Sequence, residues 1–420
     1  MSKGKRIVLA THGTLGDLHP YLAIALELKA RGHHPLIATS EYYRRKIQDT
    51  GIEFHSIRPD QILHDKELHR RFTEPKRGLE RVIREFIFPS LRATYDDLLV
   101  AVERDGGADL IISQILIFVA PLIAEKTRVP WLSTELQPGA FMSAHDPPVL
   151  APAPTLAKLR GLGPTAHRVF FSFAKLIGSS WSRPVHQLRQ ELNLPPGKDP
   201  LFEGRNSPNL ILALFSKILG PPQPDWPRNT LVTGFPFYDE PGATLTPDLA
   251  QFLNDGEAPI IFTLGSSAVI DPGNFFRESA VALKMIGKRG VLIVGENPVN
   301  AASENLFLVP YAPYDDIFSR GHTVVHHGGI GTTAQAMRAG RPMLVMPFGG
   351  DQYDNAARVE RLGIGRVIKR NKFSAARLAH ELERLSEPNF HDRALEISNQ
   401  LQRENGVLSA CDAIEQQFIG

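Results

Sequence analysis

Residues 322–352, HTVVHHGGIGTTAQAMRAGRPMLVMPFGGDQ, bring together the residue types that hold a phosphate ester. The apolar 323–325 reads as a buried strand, Gly328, Gly329 and Gly331 break it, and 332–339 has the Ala, Gln, Met and Arg content of a helix. A second strand at 342–346 completes a unit of strand, glycine turn, helix and strand. That order sets a helix N-terminus at the carboxyl end of a parallel strand, where unpaired N–H groups and the helix dipole attract an anion. Thr332 and Thr333 add hydroxyl donors, and His327 stands at the lip. Asp351-Gln352 follows the next strand, so His327 and Asp351 should face one cleft. A diphosphate carrying a sugar fits these groups. Glycine clusters also make ordinary strand-to-helix turns, so the paired histidines, the threonines and the polar pair carry the functional reading.

The same residues satisfy a competing pattern. Gly329-Ile330-Gly331-Thr332-Thr333-Ala334 matches G-x-G-x-x-A, and Asp351 lies about 20 residues on, where a dinucleotide fold sets its ribose-binding acid. Two features weigh against NAD. Pro347-Phe348-Gly349-Gly350 separates the second strand from the acid, and the motif comes late instead of opening its domain.

The elements that must position these groups alternate from the start of the chain. A strand at 7–11 leads into a glycine-containing loop at 12–17 and a helix at 21–30, so His12, Asp17 and His19 gather at a ligand-binding edge. Strands follow at 35–39, 53–57, 110–113, 131–134 and 209–215, with a helix at 41–49. A second series opens at 259–264 with Gly265-Ser266-Ser267 at its tip, continues at 291–294 and 306–309, and runs through the glycine unit to a helix at 355–361 and a strand at 366–368. The order predicts an α/β protein with two Rossmann-like halves facing across a cleft.

Three stretches fall outside this alternation. Residues 66–92 interleave Arg70, Arg71, Lys76, Arg77, Arg81, Arg84 and Arg92 with apolar residues, but Glu67, Glu74, Glu80 and Glu85 offset much of the charge. A solvated basic helix face is the expectation there, with a flap over an apolar pocket that touches a membrane surface as the alternative. Residues 137–164 are rich in Pro, Ala and Gly and 169–177 are aromatic and apolar, which suits the wall of an acceptor site or a packing segment between domains. The prolines and glycines of 221–242 read as a stiff linker.

Composition narrows the classes. A length of 420 residues accommodates two domains, and a net charge of +2 with mixed signs gives no sign of a nucleic-acid binder. The single cysteine, Cys411, excludes an internal disulfide framework. The start at 1–6 is basic, but the apolar run after it is too short for a cleavable signal, and 110–124 is too short to span a bilayer and contains Ser113, Gln114 and Pro121. A cytoplasmic location, with peripheral contact at the inner membrane as an option, is the expectation.

His327-Gly328-Gly329-Ile330-Gly331-Thr332-Thr333, Pro347, Asp351-Gln352, Tyr311-Ala312-Pro313 and Gly16-Asp17-Leu18-His19-Pro20 together resemble the inverting, nucleotide-sugar-dependent glycosyltransferases of the GT-B fold. Within that group the chain is most similar to bacterial rhamnolipid-type rhamnosyltransferases and sterol glucosyltransferases. The resemblance implies an acceptor-binding domain at 1–235, a nucleotide-sugar-binding domain at 236–396, and a segment at 397–420 that packs back on the first domain. It further implies that Tyr311 stacks on the base beside Tyr314, that His327, Gly329, Gly331, Thr332 and Thr333 bind the diphosphate, and that Ser266 or Ser267 reaches it from the facing strand tip. Asp351 and Gln352 would hold sugar hydroxyls. Many relatives have glutamate at the ribose-contacting position, where this chain has Gln335.

The implied reaction moves a hexose from a nucleotide diphosphate sugar to a hydroxyl of an apolar small molecule such as a sterol, terpenoid, phenolic or hydroxy fatty acid. UDP-glucose is the first expectation for the donor and dTDP-rhamnose the second; a nucleotide-sugar epimerase or an NAD-dependent oxidoreductase is the alternative. The sequence contains no Asp-x-Asp pair for a metal clamp, so neither metal nor cofactor is expected. Asp17 is the expected base, with His12 as the fallback and His19 in an orienting or binding role. Asp17 stands where plant relatives carry a histidine backed by an aspartate, and that aspartate's position corresponds to Gln114. A carboxylate base would suffer from a second acid nearby, so the two departures belong together. An N-terminal capping role for the helix that follows is the structural alternative for Asp17.

Overall fold

The computed structural model describes residues 4–60, 65–299 and 303–418. Residues 1–3 of the basic start lie outside the described residues. Two parallel sheets form the framework. The first joins β1 (Arg6–Ala10), β2 (His34–Thr39), β3 (Glu53–Ser56), β4 (Leu110–Gln114), β5 (Trp131–Glu135), β6 (Ile211–Ala213) and β7 (Thr230–Val232) in the order β3-β2-β1-β4-β5-β6-β7. The second joins β8 (Ile260–Thr263), β9 (Gly290–Ile293), β10 (Leu306–Val309), β11 (Thr323–His326), β12 (Met343–Val345) and β13 (Gly365–Val367) in the order β10-β9-β8-β11-β12-β13. Each sheet therefore reverses direction between its first and fourth strands. A crevice opens at such a reversal, outside the carboxyl ends of the strands.

The central strands are covered on both faces, which is why they read as continuous apolar runs. Leu9, Ile37 and Ile112 pack against Leu18, Leu22 and Ile24 on one face of the first sheet, and Val8, Leu36 and Ile111 pack against Leu98, Leu122 and Ile123 on the other. One core of the second sheet extends beyond its own strands. It takes in Phe215, Leu219 and Trp226 from the chain after β6, together with Met337, Ile397 and Leu401. The two halves thus share apolar packing along the connection between them.

Several helices matter for the site. The first, α1 (Leu15–Ala30), begins earlier than the sequence suggests, because Thr14 and Asp17 form a capping pair, and it continues through Pro20. Gly16 and Asp17 therefore belong to its first turn rather than to a loop. The long excursion after β5 contains α2 (Pro164–Ser179). In the second half, α3 (Ile330–Arg338) follows β11, and α4 (Gln352–Arg361) starts directly after Asp351. The last helix, α5 (Gly406–Phe418), returns to the first half: Ala410, Cys411 and Ile414 pack with Ile24 and Leu28, and Arg31 binds Asp412 at 2.7 Å and Glu415 at 2.6 Å.

One stretch folds differently from expectation, and a second presents the solvated basic face expected of it over an apolar side that is buried. Within the proline-rich linker, Thr230–Val232 pairs in parallel with β6, so the connection contributes an edge strand before it crosses over. In the basic stretch, Ile83, Ile87 and Phe88 are buried beneath β1 and β2, while Arg81 and Glu74 pair at 2.6 Å and Arg84 and Glu80 at 2.8 Å. Its first helix, Lys66–Phe72, reaches the second half, where Arg70 binds Asp271 at 3.2 Å. Among the described residues no helix is long and apolar enough to cross a membrane.

Candidate active site

The two sheet reversals face one another. At the first, Ala10 pairs with Ser113, which brings the ends of β1 and β4 together and sets Gln114 beside the start of α1. Gln114 Nε2 donates to Asp17 Oδ1 at 2.7 Å, and the Thr14 N–H donates to Asp17 Oδ2 at 2.8 Å. Gly13 makes room for this carboxylate: a Cβ there would stand 2.1 Å from Asp17 Oδ2. Burial raises the Asp17 pKa to about 6, against the lowering effect of bonds from Thr14 and Gln114. Oδ2 also accepts from the Thr14 hydroxyl at 3.4 Å, whereas Oδ1, with Gln114 as its one partner, still has a lone pair for an incoming proton. The position assigned to the missing aspartate is thus filled by an amide that holds Asp17 in place.

At the second reversal, His327 is clasped between two glycines. A Cβ on Gly265 would lie 2.5 Å from His327 Cε1, and one on Gly329 would lie 2.4 Å from its Nε2. Burial, and then the proximity of His69, lowers the His327 pKa to about 3, so its ring is neutral and acts as a hydrogen-bond donor or acceptor rather than a cation. Its Nδ1 has no protein partner. His326 has a different role, since its Nδ1 accepts from the Gly328 N–H at 3.1 Å and its ring is fully buried.

The start of α3 carries no side-chain cap and no acidic residue in its first turn. Its free N–H groups open toward α1, with a Cβ built on Gly331 only 3.8 Å from Gly16 Cα. Between the two helix ends lies a cleft of about 390 Å³. Asp17 and His19 line it from the first half, and His327, Gly329, Gly331 and Thr332 from the second. Ser266, Ser267, Tyr311, Tyr314, Gln335, Asp351 and Gln352 line it as well.

Individual residues depart from their expected parts. Thr333 is fully buried and its hydroxyl donates to the Gly329 carbonyl of its own helix at 3.0 Å, so it offers nothing to the cleft. His12 is also buried and is not among the cleft-lining residues, and burial lowers its pKa to about 4. Gln352 Oε1 accepts from the Phe348 and Gly349 N–H groups at 2.8 and 3.2 Å, which leaves only its Nε2 for a ligand. Tyr314 stacks on Phe318 at 4.5 Å and bonds Thr263 at 2.6 Å, so it shapes the wall, whereas Tyr311 is 56% exposed and presents a free ring face. Gln335 has an unpartnered Oε1.

Asp351 accepts from Asn355 Nδ2 at 2.7 Å, and burial raises its pKa to about 7, with a further contribution from the charge of Asp17. The two carboxylates therefore sense one another across the cleft. His19 lies against Tyr238 at 5.0 Å, its Nε2 unpartnered.

Three contributions had no signal in the sequence. Glu240 accepts from Tyr311 at 3.2 Å and pairs with Lys46 at 2.8 Å, tying the Tyr311 wall of the cleft to the first half. Asp239, paired with Arg338 at 2.7 Å, lines the cleft beside Gln335. His69, 2% exposed and with neither ring nitrogen partnered, comes near His327 from the basic stretch.

Two family models match this chain: a glycosyltransferase family 28 N-terminal domain over residues 7–144 and an erythromycin biosynthesis protein CIII-like C-terminal domain over residues 294–409. The O-mycaminosyltylonolide 6-deoxyallosyltransferase of Streptomyces fradiae is 32% identical over 98% of this chain and 97% of its own. A sterol 3-beta-glucosyltransferase of Neurospora crassa is 28% identical over 98% of this chain, which spans only 27% of that longer protein. Among solved structures, the calicheamicin glycosyltransferase superposes with a TM-score of 0.72 at 17% identity, covering 99% of this chain and 98% of that one. The spinosyn rhamnosyltransferase, complexed with thymidine diphosphate, gives 0.69 at 17% identity, covering 98% and 100%. The chain belongs to the GT-B glycosyltransferases that join these two domain types, and it is a glycosyltransferase. The dinucleotide and epimerase readings fall with that assignment. The glycine turn follows the fourth strand of its sheet, whereas a dinucleotide fingerprint follows the first.

Proposed function

We propose that this enzyme transfers a hexose, with inversion and without a metal ion, from a nucleotide diphosphate sugar to a hydroxyl of an apolar small molecule. The observation that carries the reading is the uncapped N-terminus of α3 opening opposite the half-buried Asp17 carboxylate. Asp17 takes the acceptor proton as the acceptor oxygen attacks the anomeric carbon. The bond from that carbon to the diphosphate breaks on the opposite face, which inverts the centre. The departing charge meets the N–H groups of α3, the Thr332 hydroxyl and His327, fixed donors that need little reorganisation. A carboxylate with a pKa near 6 is ionised at neutral pH and still basic enough to share a proton in the transition state. Asp351 and the Gln352 amide hold sugar hydroxyls, and Tyr311 receives the base.

For the donor, the 6-deoxyallosyltransferase that aligns along the whole chain and the thymidine diphosphate held by a structural neighbour favour a dTDP-6-deoxyhexose over UDP-glucose. The acceptor class rests on the tylonolide and sterol named for the relatives. Calorimetric titration with dTDP, UDP and NAD in EDTA tests the donor side, and the anomeric configuration of the product tests inversion. Binding of dTDP or UDP in EDTA is the expected result. A strict metal requirement, or a product that retains configuration, would overturn the mechanism.

A further inference from the structure

One face of α2 is left bare. Phe173, Leu176 and Ile177 are 66%, 72% and 65% exposed, and Val169 and Phe170 lie on the same side at helical spacing. The opposite side of the helix, through His167 and Gly178, is buried against the protein. Just upstream, the helical segment Pro154–Leu162 adds exposed Leu159 and Leu162 to the apolar surface. Single exposed apolar residues are ordinary, but a continuous stripe of large ones is a surface made to be covered.

The charge around the stripe says what covers it. Residues 147–190 contain no Asp or Glu, but carry Lys158, Arg160, Arg168, Lys175, Arg183 and Arg189. Arg160, Lys175 and Arg189 are engaged by Asp146, Glu203 and Glu125, acids that lie outside that run. Lys158, Arg168 and Arg183 are exposed. An apolar helix face flanked by exposed cations suits the headgroup and acyl boundary of an anionic bilayer. A self-associating face would give each copy the other's like charges.

We infer that α2 and the segment Pro154–Leu162 form a docking surface for anionic lipid membranes. The surface is tied firmly to the cleft. Between the two, Asp146 binds Arg358 of α4 at 2.6 Å and the Val149 N–H donates to Asp354 at 2.9 Å, one helical turn from Asp351. Docking therefore holds the cleft close to a bilayer in which an apolar acceptor dissolves, a consequence that rests on the acceptor reading above; the docking itself does not.

Flotation of the purified 420-residue protein with vesicles tests it, using phosphatidylcholine alone and phosphatidylcholine with one-third phosphatidylglycerol. The protein should float with the anionic vesicles and be released by high salt. The triple variant Phe173→Ser, Leu176→Ser, Ile177→Ser should bind them at least about tenfold more weakly. Lys158→Gln and Arg168→Gln should each weaken binding about fivefold and leave the residual binding less salt-sensitive. Unchanged dTDP or UDP titration of the variants shows that they remain folded. Failure of the wild-type protein to float with anionic vesicles would overturn the inference. So would equal binding by the triple variant, or a wild-type dimer that the triple variant dissolves without any lipid binding, which would give the face to a second copy.

Discussion

Two helix N-termini meet across the cleft, and they are finished in opposite ways. The start of α1 is filled by the chain's own anion, because the Asp17 carboxylate accepts from the Thr14 N–H in its first turn. The start of α3 has glycine at its cap and no acid nearby, so its N–H groups remain for an anion supplied by a ligand. Both ends have the same dipole. What differs is whether the neutralising charge is covalently attached, and in the mechanism proposed above that difference separates the place of the base from the place of the leaving group.

The comparison breaks most sharply at Asp17. Asp17→Asn keeps the shape of α1 but removes the basic oxygen; turnover should fall about 10³-fold while dTDP or UDP affinity stays within about twofold. Near-normal turnover in a kinetic assay would end its role as base. On the other side, His327→Ala removes a neutral donor at the diphosphate and should weaken nucleotide binding by about 10- to 100-fold in calorimetry. Unchanged affinity would detach His327 from the leaving group.

Acidity gives a finer distinction. Asp17 must be ionised to accept a proton, and its folded pKa is raised to about 6, so kcat/KM should climb as pH rises through about 6 and flatten above it. Gln114→Glu substitutes a second acid for the amide that bonds Asp17, which raises the Asp17 pKa further and should move this limb to higher pH. A limb that stays in place would mean another group controls the profile. The smallest effect belongs to Gln335→Glu. Near the ribose it should raise UDP affinity relative to dTDP by about fivefold, since only the ribonucleotide offers a 2′-hydroxyl; an unchanged ratio in competition titrations would place Gln335 away from the sugar.

The α/β alternation and the glycine turn were legible, because each depends on residues close in sequence or on a pattern repeated along it; the place of Gln114 beside Asp17, across 97 residues, was signalled only by the resemblance to relatives. The strand Thr230–Val232 was not, since a few residues among prolines become a strand only when β6 offers them partners. Thr333 shows the limit within a motif. Two adjacent threonines on a helix point about 100° apart, so Thr332 faces the cleft while Thr333 bonds its own backbone. His69 shows the limit between distant segments, because nothing in the pattern of 66–92 says that one of its residues will be buried beside His327.

The sequence by itself determined the two sheets, the order in which their strands follow one another, and the uncapped glycine start of α3, all consequences of periodicity and backbone freedom. Only the tertiary structure decided which groups could act. Burial raised the Asp17 pKa toward neutrality, kept His327 neutral, coupled Asp351 to Asp17 and turned Thr333 away from the cleft. Those properties depend on how much water each group loses and on which charges come close, and both are set by segments that meet only when the two halves of the chain are folded together.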